Sequence, residues 1–199
     1  MSTSNKFLYA IALVVLFSAG LLLAKYTPWT QQSAVNKGYT NLGGDFVLES
    51  LEGQVKLEDY RGKLVLMYFG FTSCPDVCPT ALSFIAASMR ALPKDLEAQI
   101  QPLFISVDPK RDTLDNLAKY SAYFHPRMLG VTGSTEQIDQ VVKSYGSYYT
   151  FIPLEGSALG YTVDHTSRIY LIGQEGQLIS AIAHGTPVDE IIALLKSHL

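Results

Sequence analysis

The chain has 199 residues, 48% hydrophobic and only 17% charged, with a formal net charge of −3 at pH 7. That balance excludes a disordered chain, and its slight acidity leaves no basic footprint for nucleic acid. Two cysteines are too few for a disulfide-rich scaffold or a four-cysteine zinc module, so they act as one pair.

The hydrophobicity is concentrated at the start. Phe7 to Ala24 is an uncharged run between Lys6 and Lys25. As a helix it would span roughly 27 Å, close to the hydrocarbon thickness of a bilayer. A cleaved signal peptide is the competing interpretation, but the run exceeds the usual apolar region, and Leu21-Leu22-Leu23-Ala24-Lys25 offers no small-x-small cleavage site. The expected organisation is a cytoplasmic tail (1–6), a transmembrane anchor (7–24), a polar linker (25–40) and a single domain (41–199). Flanking lysines are nearly balanced, so orientation rests on the short tail and the large following domain, which together favour export of the domain. No Arg-rich, Ser-rich transit peptide precedes the run. The expected location is therefore a bacterial inner membrane, crossed once, with the domain in the periplasm.

Within the domain, Asp45 to Glu49 is a short strand candidate, and Lys63 to Phe71 is a continuous apolar run of the central-strand kind. Pro79 suits a first helical turn, and Leu82, Ile85, Ala86 and Met89 follow at helical spacing. Pro102 to Val107 predicts a second buried strand. The next helix, capped by Asp112 or Thr113, carries Leu114, Leu117, Ala118 and Ser121 on one face. Met128 to Val131 predicts a short strand, and Ser134 with Gln137 forms a capping-box pattern before Ile138, Val141, Val142 and Tyr145.

An aromatic group, Tyr145, Tyr148, Tyr149, Phe151 and Tyr161, surrounds Pro153 and Gly156, as either a packed hairpin or an exposed docking surface. Arg168 to Ile172 and Leu178 to Ala183 flank Gly173-Gln174-Glu175-Gly176 as an antiparallel hairpin. Thr186-Pro187 then opens a last helix with Val188, Ile191, Ile192 and Leu195. Strand-helix-strand units followed by a hairpin and a helix describe an α/β fold, a mixed sheet flanked by helices. A cysteine loop after the first central strand is what a thioredoxin-like fold would place there.

Cys74 and Cys78 lie at the carboxyl end of that strand and the start of its helix, where open α/β sheets place ligands. Helix-start amides lower thiol pKa, and i, i+4 spacing lets both sulfurs converge on a metal or a shared bond. A purely structural disulfide is the plainer alternative, but a loop this short removes little unfolded-state entropy. Two thiolates with a neutral imidazole would make a site suited to copper. Of the four histidines, His198 near the terminus and His125 before Pro126 are expected to be solvated, and His184 is a weak candidate. His165 precedes a predicted strand from which it could face the cysteine loop. Asp76 and Asp164 adjoin these residues, either to orient an imidazole or dock a basic partner, or simply as turn formers. Asp108 to Asp112 reads as a strand-to-helix turn and cap.

Phe69-Gly70-Phe71-Thr72-Ser73-Cys74-Pro75-Asp76-Val77-Cys78-Pro79-Thr80, then Ser106-Val107-Asp108-Pro109-Lys110-Arg111-Asp112-Thr113, then Val163-Asp164-His165-Thr166 together resemble the Sco/SenC family. The resemblance covers essentially the whole domain and also fits a membrane anchor. It implies a thioredoxin-like fold with copper, as copper(I) or copper(II), held by Cys74, Cys78 and His165. It further implies that the protein delivers copper to, or reduces the cysteines of, the binuclear copper centre of cytochrome c oxidase. The implied partners are the oxidase subunit carrying that centre and a protein that donates the copper. Leu114 stands where the family often has proline, a difference that should not touch the metal.

Two other functions use the same pair. In a thiol-disulfide oxidoreductase, Cys74 and Cys78 would be the catalytic redox couple; in a thiol peroxidase or redox sensor, one would resolve the other. Dedicated oxidoreductases of this fold usually place two residues between the cysteines and a proline opposite them, whereas here there are three and Tyr161 to Arg168 contains no proline.

Overall fold

The computed structural model describes Ser18, Tyr39 and residues 41–199. The expected tail, anchor and linker (1–6, 7–24 and 25–40) lie outside the described residues, apart from Ser18 and Tyr39. Among the described residues, no helix is long and apolar enough to cross a membrane. The chain divides into two units, Met1–Lys37 and Gly38–Leu199, and the domain described below lies in the second.

A hairpin opens the domain: β1 (Val47–Ser50) pairs antiparallel with β2 (Gly53–Lys56), and a short 3-10 turn, Leu57–Tyr60, leads into β3 (Leu64–Gly70). All seven residues of β3 are buried, which is why its sequence is continuously apolar rather than alternating. Helix α1 (Val77–Arg90) and the single turn α2 (Lys94–Glu97) return the chain to β4 (Ile100–Ser106), which runs parallel to β3. Helix α3 (Leu114–Phe124) leads to β5 (Leu129–Val131), parallel to β4. After α4 (Thr135–Ser144) comes a separate antiparallel hairpin of β6 (Tyr149–Pro153) and β7 (Tyr161–His165). The chain closes with β8 (Arg168–Ile172), β9 (Leu178–Ala183) and α5 (Val188–Lys196).

The main sheet has the order β5-β4-β3-β8-β9, with β8 antiparallel to β3 and β9 antiparallel to β8. Side chains alternate across β3. Phe69 meets Tyr145 and Tyr170 edge-on, at centroid distances of 6.2 and 5.5 Å. Gly70, on the opposite face, lies against Cys78 of α1 and Phe104, whose ring packs on Tyr120 of α3. So α1 and α3 cover one face, and the end of α4 covers the other. This is the expected thioredoxin-like mixed sheet between helices.

Local signals explain most helix starts. The box of Ser134 and Gln137 forms in both directions. Pro79 sits in the first turn of α1 and Pro187 caps α5. For α3 the cap is Thr113, whose hydroxyl accepts from the Asn116 amide; Asp112 is engaged elsewhere.

Three expectations need correction. His125 is not solvated: it is only 2% exposed and its Nε2 meets Glu97 Oε1 at 3.2 Å. Its Nδ1 accepts from the Arg127 amide, so both ring nitrogens are occupied within the fold. His198 is half-buried, with Nδ1 against the Leu194 carbonyl at 2.9 Å, because α5 continues almost to the chain end. The aromatic group is not one cluster. Tyr145 belongs to the core, while Tyr149, Phe151 and Tyr161 stack edge-to-face along the β6-β7 hairpin and Tyr148 is exposed.

Candidate metal centre

Strand β3 ends at Gly70, and the loop Phe71 to Asp76 turns Cys74 back over the start of α1, where Cys78 occupies the second helical position. The Cys78 amide donates to Cys74 Sγ at 3.5 Å, as expected of an amide that has no partner within its own helix. Neither cysteine is in a disulfide. From the other side, β7 delivers His165 at its last residue, with Nε2 3.4 Å from Cys78 Sγ. The two Sγ atoms and a His165 ring nitrogen lie within 4.8 Å of one another, and all three side chains are buried.

The imidazole is oriented rather than merely near. Its Nδ1 faces the Thr166 carbonyl at 3.2 Å and its Nε2 stands 3.4 Å from Cys78 Sγ, so the Nε2 edge of the ring is turned to the sulfurs. Tyr68 and Phe71 hold the ring edge-to-face at 6.0 and 5.9 Å. The Tyr68 hydroxyl is 3.0 Å from Ser167 Oγ, which ties β3 to the short link between β7 and β8. A shallow depression of about 380 Å³, walled partly by Pro75, Val77 and Asp164, opens onto Cys74 and His165, with Cys78 buried beneath.

The thiols differ sharply. The Cys78 thiol beside it holds Cys74 down to about 4 against the opposing effect of burial, helped by His165 and the Asp76 and Cys78 amides. Cys78, fully buried, is pushed far above the ordinary thiol range by desolvation first and then by the negative Cys74. One proton shared asymmetrically between two close sulfurs gives a thiolate at the more accessible position and a thiol beneath it.

A second set of residues, not recognised as part of the site from sequence, surrounds this centre. Asp112 is 2% exposed and accepts from the Thr72 amide (2.9 Å), the Thr72 hydroxyl (2.5 Å) and the Ser106 hydroxyl (2.6 Å), pinning the cysteine loop to the end of β4. Asp108 is fully buried, receiving Arg111 Nε at 2.5 Å and the Tyr161 hydroxyl at 2.9 Å. The turn-and-cap expectation for Asp108 to Asp112 therefore understates them. The available signal was a pair of acids spaced i, i+4 with an arginine between them, at the end of a buried strand. Asp76 and Asp164 are exposed, and Asp164 accepts from Tyr148 at 3.3 Å; with Nδ1 given to Thr166, neither orients the imidazole. His184 is exposed, and neither it, His125 nor His198 joins the centre.

The sequence model of the SCO1/SenC family matches residues 34–199. The chain belongs to the SCO1/SenC family. One member, the mitochondrial SCO2 homolog of Bos taurus, is 42% identical over 162 residues, covering 78% of this chain and 59% of the bovine protein. The chain thus spans less than two thirds of that relative. Among solved Sco structures, Bradyrhizobium japonicum ScoI with copper bound is 38% identical with a TM-score of 0.71, over 79% of this chain and 99% of that one. BsSco, a member of the Sco family of cytochrome c oxidase assembly proteins in which a disulfide switch was identified, is 25% identical with a TM-score of 0.61, over 81% and 96%. The Sco fold and the Cys-Cys-His arrangement thus occur together in this chain.

Proposed function

We propose that this protein is a membrane-anchored copper carrier that delivers copper to, or reduces the cysteines of, the binuclear copper centre of cytochrome c oxidase during assembly. The observation that carries the proposal is the convergence of Cys74 Sγ, Cys78 Sγ and a His165 ring nitrogen within 4.8 Å. The copper-bound ScoI relative and the oxidase-assembly role named for the BsSco family support it.

The donor set fits the metal as cargo. Two soft thiolates suit copper(I), and the imidazole adds the nitrogen that copper(II) prefers. Cys74 is already poised as a thiolate, so its share of the proton cost of binding is small. The open side of the depression leaves room for a partner's ligand, which suits a site that must release what it binds. The 18-residue apolar run supports a single-pass anchor in a bacterial inner membrane, with the domain in the periplasm beside the oxidase.

Reduction of the partner's cysteines is supported by the same pair. Cys74, the more accessible and more acidic thiol, attacks one sulfur of a partner disulfide to form a mixed disulfide and release a partner thiolate. Cys78 then gives its proton to the released partner thiolate and attacks Cys74 Sγ, displacing the second partner sulfur. Two electrons pass to the partner, which ends as a dithiol, and Cys74 and Cys78 end as a disulfide.

The test is an anaerobic copper titration of the reduced full chain beside His165→Ala. Wild type is expected to bind one copper in either oxidation state, and His165→Ala to keep copper(I) while losing most of its copper(II) affinity. No binding by wild type, or equal copper(II) binding by the variant, overturns the three-ligand proposal. Rapid turnover of the copper-free protein on a model disulfide, with His165 dispensable, would favour the oxidoreductase function instead.

A further inference from the structure

The two sulfurs differ in what faces them. Cys74 Sγ draws on amides of its own loop and helix start, among them that of Cys78 at 3.5 Å. Cys78 Sγ lies beneath, fully buried, on a floor made by Gly70 and Phe104. A sulfur that carries negative charge there, bound to a metal or attacking a disulfide, needs donors of its own. Strand β3 supplies one. Tyr68 is fully buried two residues before Gly70, and so on the same face of the sheet. The point where a Gly70 Cβ would stand is 2.8 Å from Cys78 Sγ and 3.2 Å from Tyr68 Cε1, so the ring edge and the sulfur border one gap. The hydroxyl reaches the start of α1. It stands 3.4 Å from the carbonyl of Val77, the peptide group that carries the Cys78 amide.

We propose that Tyr68 is a positioning residue whose hydroxyl is the side-chain donor to Cys78 Sγ while that sulfur is negatively charged, as a copper ligand or as an attacking thiolate. The hydroxyl is free for that task. In its shorter contact, 3.0 Å to Ser167 Oγ, either oxygen can donate, so Ser167 gives its proton to Tyr68 and leaves the Tyr68 proton for sulfur. The Val77 carbonyl is a weak competitor, since the contact is long and the carbonyl belongs to a helix that engages it already. Burial first, and then charge on Cys78, push the Tyr68 phenol up, so it remains a donor. Among the groups that draw the Cys78 thiol down against its burial are the Phe71 amide and the Tyr68 hydroxyl. A donor to a ligand thiolate withdraws electron density from sulfur and favours copper(I), in which the sulfur carries more charge. The inference rests on the proposed function for its copper readouts, and its thiol readout needs no metal.

The experiment uses the full chain with Tyr68→Phe, which keeps the ring against His165, and with Tyr68→fluorotyrosine, a stronger donor of nearly the same size. The reduced, metal-free protein is mixed with an aryl disulfide, dithiobis(nitrobenzoate). Cys74 attacks it and releases one thionitrobenzoate; Cys78 then loses its proton, attacks Cys74 Sγ and releases the second, leaving the two cysteines as a disulfide. Tyr68→Phe is expected to leave the first release within about twofold of wild type and to slow the second about threefold, because a roughly tenfold smaller thiolate share is partly offset by greater nucleophilicity. Fluorotyrosine is expected to speed the second release. In the copper-loaded protein, Tyr68→Phe is expected to lower the ratio of copper(I) to copper(II) affinity about tenfold and to move the sulfur-to-copper(II) charge-transfer band to longer wavelength, with fluorotyrosine doing the reverse. A second release unchanged in both variants overturns the proposal. So does equal slowing of both releases in Tyr68→Phe with no effect of fluorotyrosine, which would mark a packing role alone. If Tyr68→Phe does not fold, the second release of the fluorotyrosine variant decides. If wild type takes up no copper, the copper function fails and Tyr68 is judged by the second release alone.

Discussion

Gly70 illustrates how a residue with no chemistry of its own shapes the centre. It ends β3 with φ in the ordinary range, so its value is space rather than conformational freedom. A Cβ there would stand 2.8 Å from Cys78 Sγ and 2.9 Å from Phe104 Cε2. Both neighbours are packed at the floor of the site and cannot give way cheaply. Gly70→Ala is therefore expected to cost about 1–3 kcal/mol of stability, read as a lower urea midpoint, and to displace Cys78 enough to weaken copper(I) binding. An unchanged midpoint and affinity would mean that the helix start accommodates a methyl group, contrary to this packing. Cys74 and Cys78 were legible from spacing alone, because a pair at a strand-to-helix junction has few other uses. His165 was one of four histidines until the fold showed that His125 spends both ring nitrogens internally and that His184 and His198 lie elsewhere.

Between elements, the polar cluster that joins α2 to the loop after α3 makes stability depend on acid. Glu97 is held below the usual carboxylate range by Lys94 first, at 2.6 Å, with smaller help from His125 and Arg127. His125 is held below the ordinary imidazole range by burial, against the upward pull of Glu97. Both groups bind protons more readily unfolded than folded, so each contributes stability that is present at neutral pH and lost as pH falls. The His125 share begins to go below its unfolded value of about 6.5, and the Glu97 share below about 4.3. Cys74, held at about 4, inclines the curve the same way from higher pH. Comparison with His125→Gln isolates the histidine: between pH 7 and 5.5 the urea midpoint of wild type is expected to fall more steeply than that of the variant. Equal slopes would assign the acid sensitivity to other groups. Strands β3, β4, β8 and β9 were legible as apolar runs, and α4 from its capping box. The β6-β7 hairpin was legible only as one of two alternatives for an aromatic excursion, because the exposed β6 lacks the alternation that a half-buried strand shows.

For the whole molecule, the proposed location of the domain rests on the apolar run at residues 7–24. An alkaline phosphatase reporter fused after Leu199 is expected to be active in a bacterial host and a cytoplasmic reporter at the same point inactive; the reverse result overturns the export proposal. On the export proposal, the pair, free in the structure, must be kept reduced in an oxidising compartment if it is to bind copper. Composition, periodicity and motif spacing determined the fold class, the cysteine pair, most helix starts and the family resemblance, because these are properties of short stretches of chain. Tertiary structure alone decided the rest. It brought residues 74, 78 and 165 to one point, turned His165 Nε2 toward the sulfurs, and made Asp112 the support of the cysteine loop. Those facts depend on which faces the sheet brings together across tens of residues, and local sequence carries no record of such distances.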